Sequence, residues 1–280
     1  MQADAGAARQ ELSAGDPAAF VDLGRYPIQD CDAPAAQALV ARCRAELRGK
    51  GACVLPGFLH PAALARMADE SRLVAPYAHW GARGPGGTAY LEPPDPSFPE
   101  DHPRRRLQQS SVGAVAYDLI PPAHALRQLY EWDGLMDFIE RVVDRGRLYR
   151  YADPLGALNV AVMREGDRLL WHYDQTDFVT SILLQDCEAG GAFEYVPMIR
   201  EPGNENYDRV SRLLDGDRSE VVRLDIQPGT FVFFEGRQSI HHVSPIEGMT
   251  DRHIALLGFD TRPDTCSSER LKMRRYGRLG

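Results

Sequence analysis

The sequence predicts a mainly β fold with flanking helices (α+β), built as a double-stranded β-helix or jelly roll. Two observations point there. Apolar positions recur at helical spacing in the front half, and after Arg150 the pattern changes to period two in about eight short runs separated by turn residues. A helical half followed by many short strands fits a β core with helices packed on its outside.

Taken in order, residues 1–30 are rich in Ala, Gly, Asp and Gln and read as a loosely ordered arm. From Pro34 to Arg48, Leu39, Val40, Cys43 and Leu47 fall at helical spacing, and Gly51 breaks the run. ACVLPGFL (52–59) reads as a short strand entering a turn. HPAALARMADESRLV (60–74) is a second helix with Pro61 in its first turn, where the missing N–H costs little. Residues 75–111 are dense in Pro, Gly and polar residues, the signature of either a lid or a disordered loop. Residues 122–144 supply one or two more helices. Strands are expected near 157–164, 169–174, 178–185, 191–196, 220–226, 230–235, 240–245 and 253–260, with one helix at 206–216. Residues 31–280 therefore form a single domain: a helical front half (31–150, with the 75–111 lid loop), a jelly-roll core (151–263) and a C-terminal tail (264–280).

The bulk composition narrows the function. The chain has 280 residues, 44% hydrophobic and 26% charged, as a globular protein with a substantial core requires. A net charge of −8 argues against a nucleic-acid surface, and the basic cluster HPRRRLQ (102–107) is too short to reverse that. No run approaches the length of a membrane span, and the first thirty residues lack a signal-peptide pattern. The five cysteines, at 31, 43, 53, 187 and 266, are odd in number and without CxxC spacing, which fits a reducing cytoplasm. A cytoplasmic monomer or homodimer acting on a small molecule, with neither nucleic acid nor membrane as partner, is expected.

The chemistry is carried by RLLWHYDQTDFVTSILLQ (168–185). His172 and Asp174 lie two apart on a strand, so they share a face. Alone, that pair fits a structural histidine held by a carboxylate as well as it fits two metal ligands. A third element tips the balance: 69 residues after His172 a strand carries His241 and His242, and Arg252 follows His241 by 11. Two histidines and one carboxylate form the facial triad of non-haem Fe(II) oxygenases, leaving coordination positions open for a bidentate oxo-acid and O₂. Adjacent strand residues point to opposite faces, so only one of His241 and His242 can join the triad.

At these positions the sequence resembles the Fe(II)/2-oxoglutarate-dependent dioxygenase superfamily. The pattern of HxD, long gap, H-x-V-x-P and a following Arg falls on His172, Asp174, His241 (with Val243 and Pro245) and Arg252. The resemblance implies Fe(II) held by His172, Asp174 and His241, and 2-oxoglutarate clamped through its distal carboxylate by Arg252, whose planar fork suits bidentate pairing. It makes His242 the outward neighbour and His253 a structural residue. Many relatives carry Ser or Thr two residues after the Arg. Here that position is Ile254, and Thr180 is the candidate for the second carboxylate contact. The stretch 190–214 also looks like that of free-amino-acid halogenases and their hydroxylase relatives. Halogenases of that group replace the HxD carboxylate with Gly or Ala, whereas Asp174 is present here, which points to hydroxylation.

Other residues are weighed more plainly. Phe193, Tyr195, Phe231, Phe233 and Phe234 read as packing. Asn159 and Glu194 are polar within strands and either face the cavity, as substrate contacts, or an edge; Glu194 is the candidate partner for a substrate ammonium. Arg104, Arg105 and Arg106 are a solvated cluster or supply, with Arg104 foremost, a lid cation for a substrate carboxylate. Trp171 and Tyr173 alternate with the ligands and should point away from the metal. The expected activity is hydroxylation of an unactivated C–H bond of a small metabolite, a free amino acid, with release of succinate and CO₂. Desaturation or ring closure on the same site is the alternative within the class. A non-catalytic cupin-like binding module, or a zinc hydrolase that leaves Arg252 without a role, are the alternatives outside it.

Overall fold

The computed structural model describes residues 16–81 and 84–280. Residues 1–15 of the expected N-terminal arm and 82–83 of the 75–111 loop lie outside the described residues. A seven-stranded antiparallel sheet runs in the order Ala52–Leu55, Phe231–Phe234, Val179–Gln185, Arg252–Leu257, Leu158–Met163, Gly113–Val115, His79–Trp80. A four-stranded sheet runs Val222–Leu224, Phe193–Val196, Ile240–Val243, Leu169–His172. The two face one another: the Phe234 ring of the first lies 5.0 Å from Phe193 and 5.2 Å from Tyr195 of the second. This is the expected jelly roll.

The outer face of the large sheet carries the main core. Phe231, Phe233, Ile182, Ala255, Val160 and Val162 pack there against the front-half helices. The helix Asp133–Val143 shows why these segments form: Leu135, Phe138, Ile139 and Val142 fall at i, i+3, i+4 and i+7, all fully buried. Phe138 meets Phe233 edge-on at 5.7 Å. Each such ring contributes roughly 1.5–3 kcal/mol by leaving water. Because strands alternate, the residues between these point into the space between the sheets. Paired Cα positions place Val232, Ser181, Leu256 and Asn159 in one row on that inner face.

Three segments depart from expectation. The arm is not loose from residue 16 onward. A short 3-10 helix, Pro17–Phe20, leads into Phe20, Val21, Tyr26 and Ile28, which are all buried in the main core, and Val21 bridges to Leu59. The 264–280 tail contains a helix, Glu269–Tyr276, capped by the Ser268 hydroxyl accepting from Leu271 N. The 75–111 loop is docked rather than disordered. Its strands Gly84–Gly87 and Gln108–Ser110 pair antiparallel. The Gln108 amide donates to Trp171 O at 3.0 Å and accepts from Trp171 N at 3.2 Å, substituting for a neighbour along the edge strand Leu169–His172. No helix among the described residues is long and apolar enough to cross a membrane.

Candidate functional site

His172 ends one strand of the small sheet and His241 sits directly opposite it on the next, their rings 4.1 Å apart. The His172 Nδ1–H faces Leu170 O at 2.8 Å and His241 O at 3.1 Å, and the His241 Nδ1–H faces Ser239 O at 3.0 Å. Carbonyls accept only, so both rings carry hydrogen on Nδ1 and turn Nε2 toward the carboxylate. Those Nε2 atoms lie 3.6 Å and 3.4 Å from the Asp174 carboxylate oxygens, and the three ligand atoms fall within 4.8 Å of one another. Two cis ligands at about 2.1 Å from one ion stand roughly 3 Å apart, so the donor set needs only a small contraction to close on a metal.

Backbone geometry seats the carboxylate. Asp174 N donates to Gly236 O at 3.0 Å, and a Cβ at position 236 would lie 1.8 Å from Asp174 Oδ2. Only glycine admits this approach. Burial pushes the Asp174 carboxyl up, but His241, His172 and Arg275 outweigh it and hold its pKa at about 2. Burial and the neighbouring His172 pull His241 down to about 4, against the opposing pull of Asp174. At neutral pH the site is one carboxylate and a neutral His241, the protonation a divalent ion requires.

The remaining candidates divide. His242 points to the opposite face, stacked on Trp171 at 3.9 Å and hydrogen-bonded to Glu194 Oε2 at 2.8 Å. That removes Glu194 from the substrate cavity: across the sheet it pairs with His242, one residue out of phase with the metal face. Tyr173 also points away, against Tyr90 and beneath the Arg200 guanidinium. Thr180 does not reach a co-substrate either. Its hydroxyl is fully buried on the helix side and donates to Leu257 O at 3.0 Å; Ser181, one residue on, faces inward. Arg104 is committed to the docked loop, over the Tyr90 ring at 4.9 Å and 3.3 Å from Glu92. Arg105 pairs with Glu100, and Arg106 with Asp215. His253 bonds Ser71 Oγ at 2.9 Å on the helix side.

Asn159 does face inward, and its Oδ1 accepts from Arg275 Nη2 at 3.1 Å. Arg252 is 2% exposed, with Nε and Nη1 buried and without hydrogen-bond partners; its nearest carboxylate, Asp186, is 3.9 Å away. It lines a cavity of about 310 Å³ with Asp186, Gly191, Phe193, Arg223 and Leu224. Phe193 is also stacked against His241 at 5.4 Å, so the cavity lies beside the His172, Asp174 and His241 cluster. Sequence reasoning missed Gly236, Ser181 and Arg275. The EG turn before the distal histidine could have flagged the first.

A family model described as Halogenase D matches residues 102–274. The chain belongs to the Halogenase D family. No curated protein matches it. Among solved structures, this Halogenase D family member is similar to the non-haem alpha-ketoglutarate-dependent epimerase SnoN from nogalamycin biosynthesis (16% identity, 80% of this chain and 83% of that one, TM-score 0.54). SnoN has also been solved with Fe3+, alpha ketoglutarate and nogalamycin RO (17% identity, 80% and 84%, TM-score 0.51). It is similar as well to AviO1 from Streptomyces viridochromogenes Tue57 (18% identity, 81% and 97%, TM-score 0.52) and to a 2OG-Fe(II) oxygenase family oxidoreductase from Burkholderia pseudomallei (14% identity, 80% and 91%, TM-score 0.51). These likenesses establish that the Halogenase D family member has the 2OG-Fe(II) oxygenase fold.

Proposed function

We propose that this protein is an Fe(II)- and 2-oxoglutarate-dependent oxygenase that hydroxylates a small metabolite, a free amino acid, with release of succinate and CO₂. The observation that carries this is the pairing of a facial His₂-carboxylate set with an orphaned, buried guanidinium in the adjoining cavity. His172, Asp174 and His241 would hold the iron. Arg252 would bind the distal carboxylate of 2-oxoglutarate, two N–H groups meeting two oxygens in a fork that fixes orientation. Iron with 2-oxoglutarate and O₂ supplies the oxidising power for an unactivated C–H bond. The protein's own part is placement: the Nδ1–H contacts lock both imidazoles, Phe193 and Phe234 keep the His241 side apolar, and the docked 88–110 segment braces the strand bearing His172.

Membership of the Halogenase D family and the resemblance at 190–214 support an amino acid substrate. Asp174 supports oxygen transfer over halogenation, because its carboxylate fills the position a halide would need. The test is mass spectrometry of a screen of free amino acids incubated with Fe(II), 2-oxoglutarate, O₂ and excess chloride. A gain of one oxygen supports hydroxylation. Loss of two hydrogens makes the enzyme a desaturase or cyclase, and a chlorine isotope pattern refutes the role given to Asp174.

A further inference from the structure

Arg252 and Asp186 are pinned just out of bonding range of each other. Gln185 ends one strand of the large sheet and Arg252 begins its neighbour, and the Gln185 amide donates to Asp251 O at 2.7 Å, which fastens the two strand ends together. Asp186 Oδ1 accepts from Cys187 N at 2.9 Å and is thereby turned along its own backbone. Arg252 is walled in on its own side. A Cβ at Gly191, whose φ of +60° suits glycine, would stand 3.1 Å from Arg252 Cδ and 2.6 Å from Cys187 Sγ. The result is a gap of 3.9 Å between Arg252 Nε and Asp186 Oδ1, too long for a hydrogen bond.

Such a pair does half of what an ion pair does. Asp186 is the one carboxylate paired with Arg252 among the described residues, so it offsets part of the cost of burying that charge. It takes none of the donors: Nε and Nη1 stay free. Both residues line the cavity of about 310 Å³, whose other charged lining residues, Arg223 and Asp225, are exposed on its rim. A carboxylate arriving on the free Nε–H at about 2.9 Å therefore has an oxygen no more than about 7 Å from Asp186 Oδ1. Before it arrives, Asp186 stabilises the protein. Afterwards two negative charges share one guanidinium, and each weakens the hold on the other.

We propose that Asp186 is an affinity brake on the co-substrate cavity: it stabilises the empty protein and opposes the distal carboxylate of 2-oxoglutarate and of the succinate left in its place. The inference rests on the co-substrate role given to Arg252 above. Decarboxylation leaves the distal carboxylate of 2-oxoglutarate unchanged in succinate, so the repulsion that weakens binding of the one speeds departure of the other. Asp186 thus clears the site after each turnover and makes the rate follow the supply of 2-oxoglutarate.

The test compares full-length wild type, Asp186→Asn, Arg252→Met and the double variant. Asn keeps the Oδ1 acceptor for Cys187 N while removing the charge, and Glu100→Gln, a 91% exposed surface charge beside Arg105, controls for net charge. Three readouts are taken: the Tm of the protein stripped of metal and co-substrate, the 2-oxoglutarate concentration that half-develops the visible band of the Fe(II)-loaded protein without O₂, and the succinate concentration that half-reverses it. The expected effects of Asp186→Asn have opposite signs. The stripped protein loses about 1–3 °C of Tm, while the 2-oxoglutarate dissociation constant and the succinate inhibition constant both fall about three- to tenfold. The Tm loss disappears in the Arg252→Met background, where no buried charge remains to offset, and Glu100→Gln matches wild type in all three. An unchanged or raised 2-oxoglutarate dissociation constant in Asp186→Asn overturns the brake and makes Asp186 a bystander or an orienting partner of Arg252. A stripped Tm that does not fall, or a fall that persists in the Arg252→Met background, overturns it as well. If Arg252→Met leaves 2-oxoglutarate binding untouched, or the wild type gives no band, the co-substrate reading itself fails and the brake with it.

Discussion

Replacing Arg252 with Met should weaken 2-oxoglutarate binding and, at the same time, stabilise the ligand-free protein. Arg252 is almost wholly buried, two of its donors lack partners, and Asp186 at 3.9 Å is itself 39% exposed on its side chain. A buried donor left unsatisfied costs roughly 1–3 kcal/mol, and a half-exposed carboxylate at that distance returns little of it. Met is unbranched and of similar length, and fills irregular space well. The stripped Arg252→Met protein should therefore be more stable by roughly 1–3 kcal/mol, raising its Tm by about 2–4 °C per kcal/mol. The co-substrate loses a charge-assisted contact worth roughly 1.5–3 kcal/mol, so its affinity should fall about ten- to hundredfold. Thermal melts without metal or 2-oxoglutarate, and the KM for 2-oxoglutarate, are the assays. An unchanged KM moves the clamp to another residue. A lowered Tm together with an unchanged KM makes Arg252 an ordinary structural cation and refutes the reasoning.

His172→Ala, Asp174→Ala and His241→Ala should each abolish turnover and iron retention measured by metal analysis, whereas His242→Ala should keep its iron, because His242 faces Glu194 and Trp171. Asp174→Gly should weaken iron binding; a chlorinated product from that variant in excess chloride, and none from the wild type, would support the account of Asp174. Stability should also depend on pH through His253. Burial lowers its pKa to about 4 from an ordinary 6.5, so as pH falls the unfolded chain takes up the proton first. The associated stability is complete above 6.5, is lost between 6.5 and 4, and amounts to at most about 3 kcal/mol at ~1.36 kcal/mol per pKa unit. Denaturant melts of wild type and His253→Asn across that window should differ in slope; parallel curves would remove His253 as the cause.

The clustering of His172, Asp174 and His241 was legible because its logic is local: HxD on one strand face, and a second strand on which two adjacent histidines must diverge. Parity failed where strands are buried on both faces. Val179–Gln185 shows no polar alternation to say which side is inner, so the sequence offered Thr180 where the structure turns Ser181 inward. The side that Glu194 takes was left open for a related reason, since its partner His242 lies 48 residues away and only the sheet register joins them. Arg275 sits among Arg270, Lys272, Arg274 and Arg278, and nothing local marks the one whose side chain reaches Asn159. The N-terminal arm was misjudged by averaging: the Ala- and Gly-rich start masked Phe20, Val21, Tyr26 and Ile28, which are core residues. The 75–111 loop hid a strand pair whose members are more than twenty residues apart and rich in Gly, a pattern without periodicity.

The central claim is that His172, Asp174 and His241 hold Fe(II) while Arg252, in the adjoining cavity beside Phe193, orients 2-oxoglutarate upon it. Anaerobic addition of Fe(II) and then 2-oxoglutarate to the purified protein tests this directly. The account predicts a weak visible charge-transfer band in the wild type, lost in His241→Ala and shifted to about ten- to hundredfold higher 2-oxoglutarate concentration in Arg252→Met. No band in the wild type, or a band untouched by both substitutions, would contradict it.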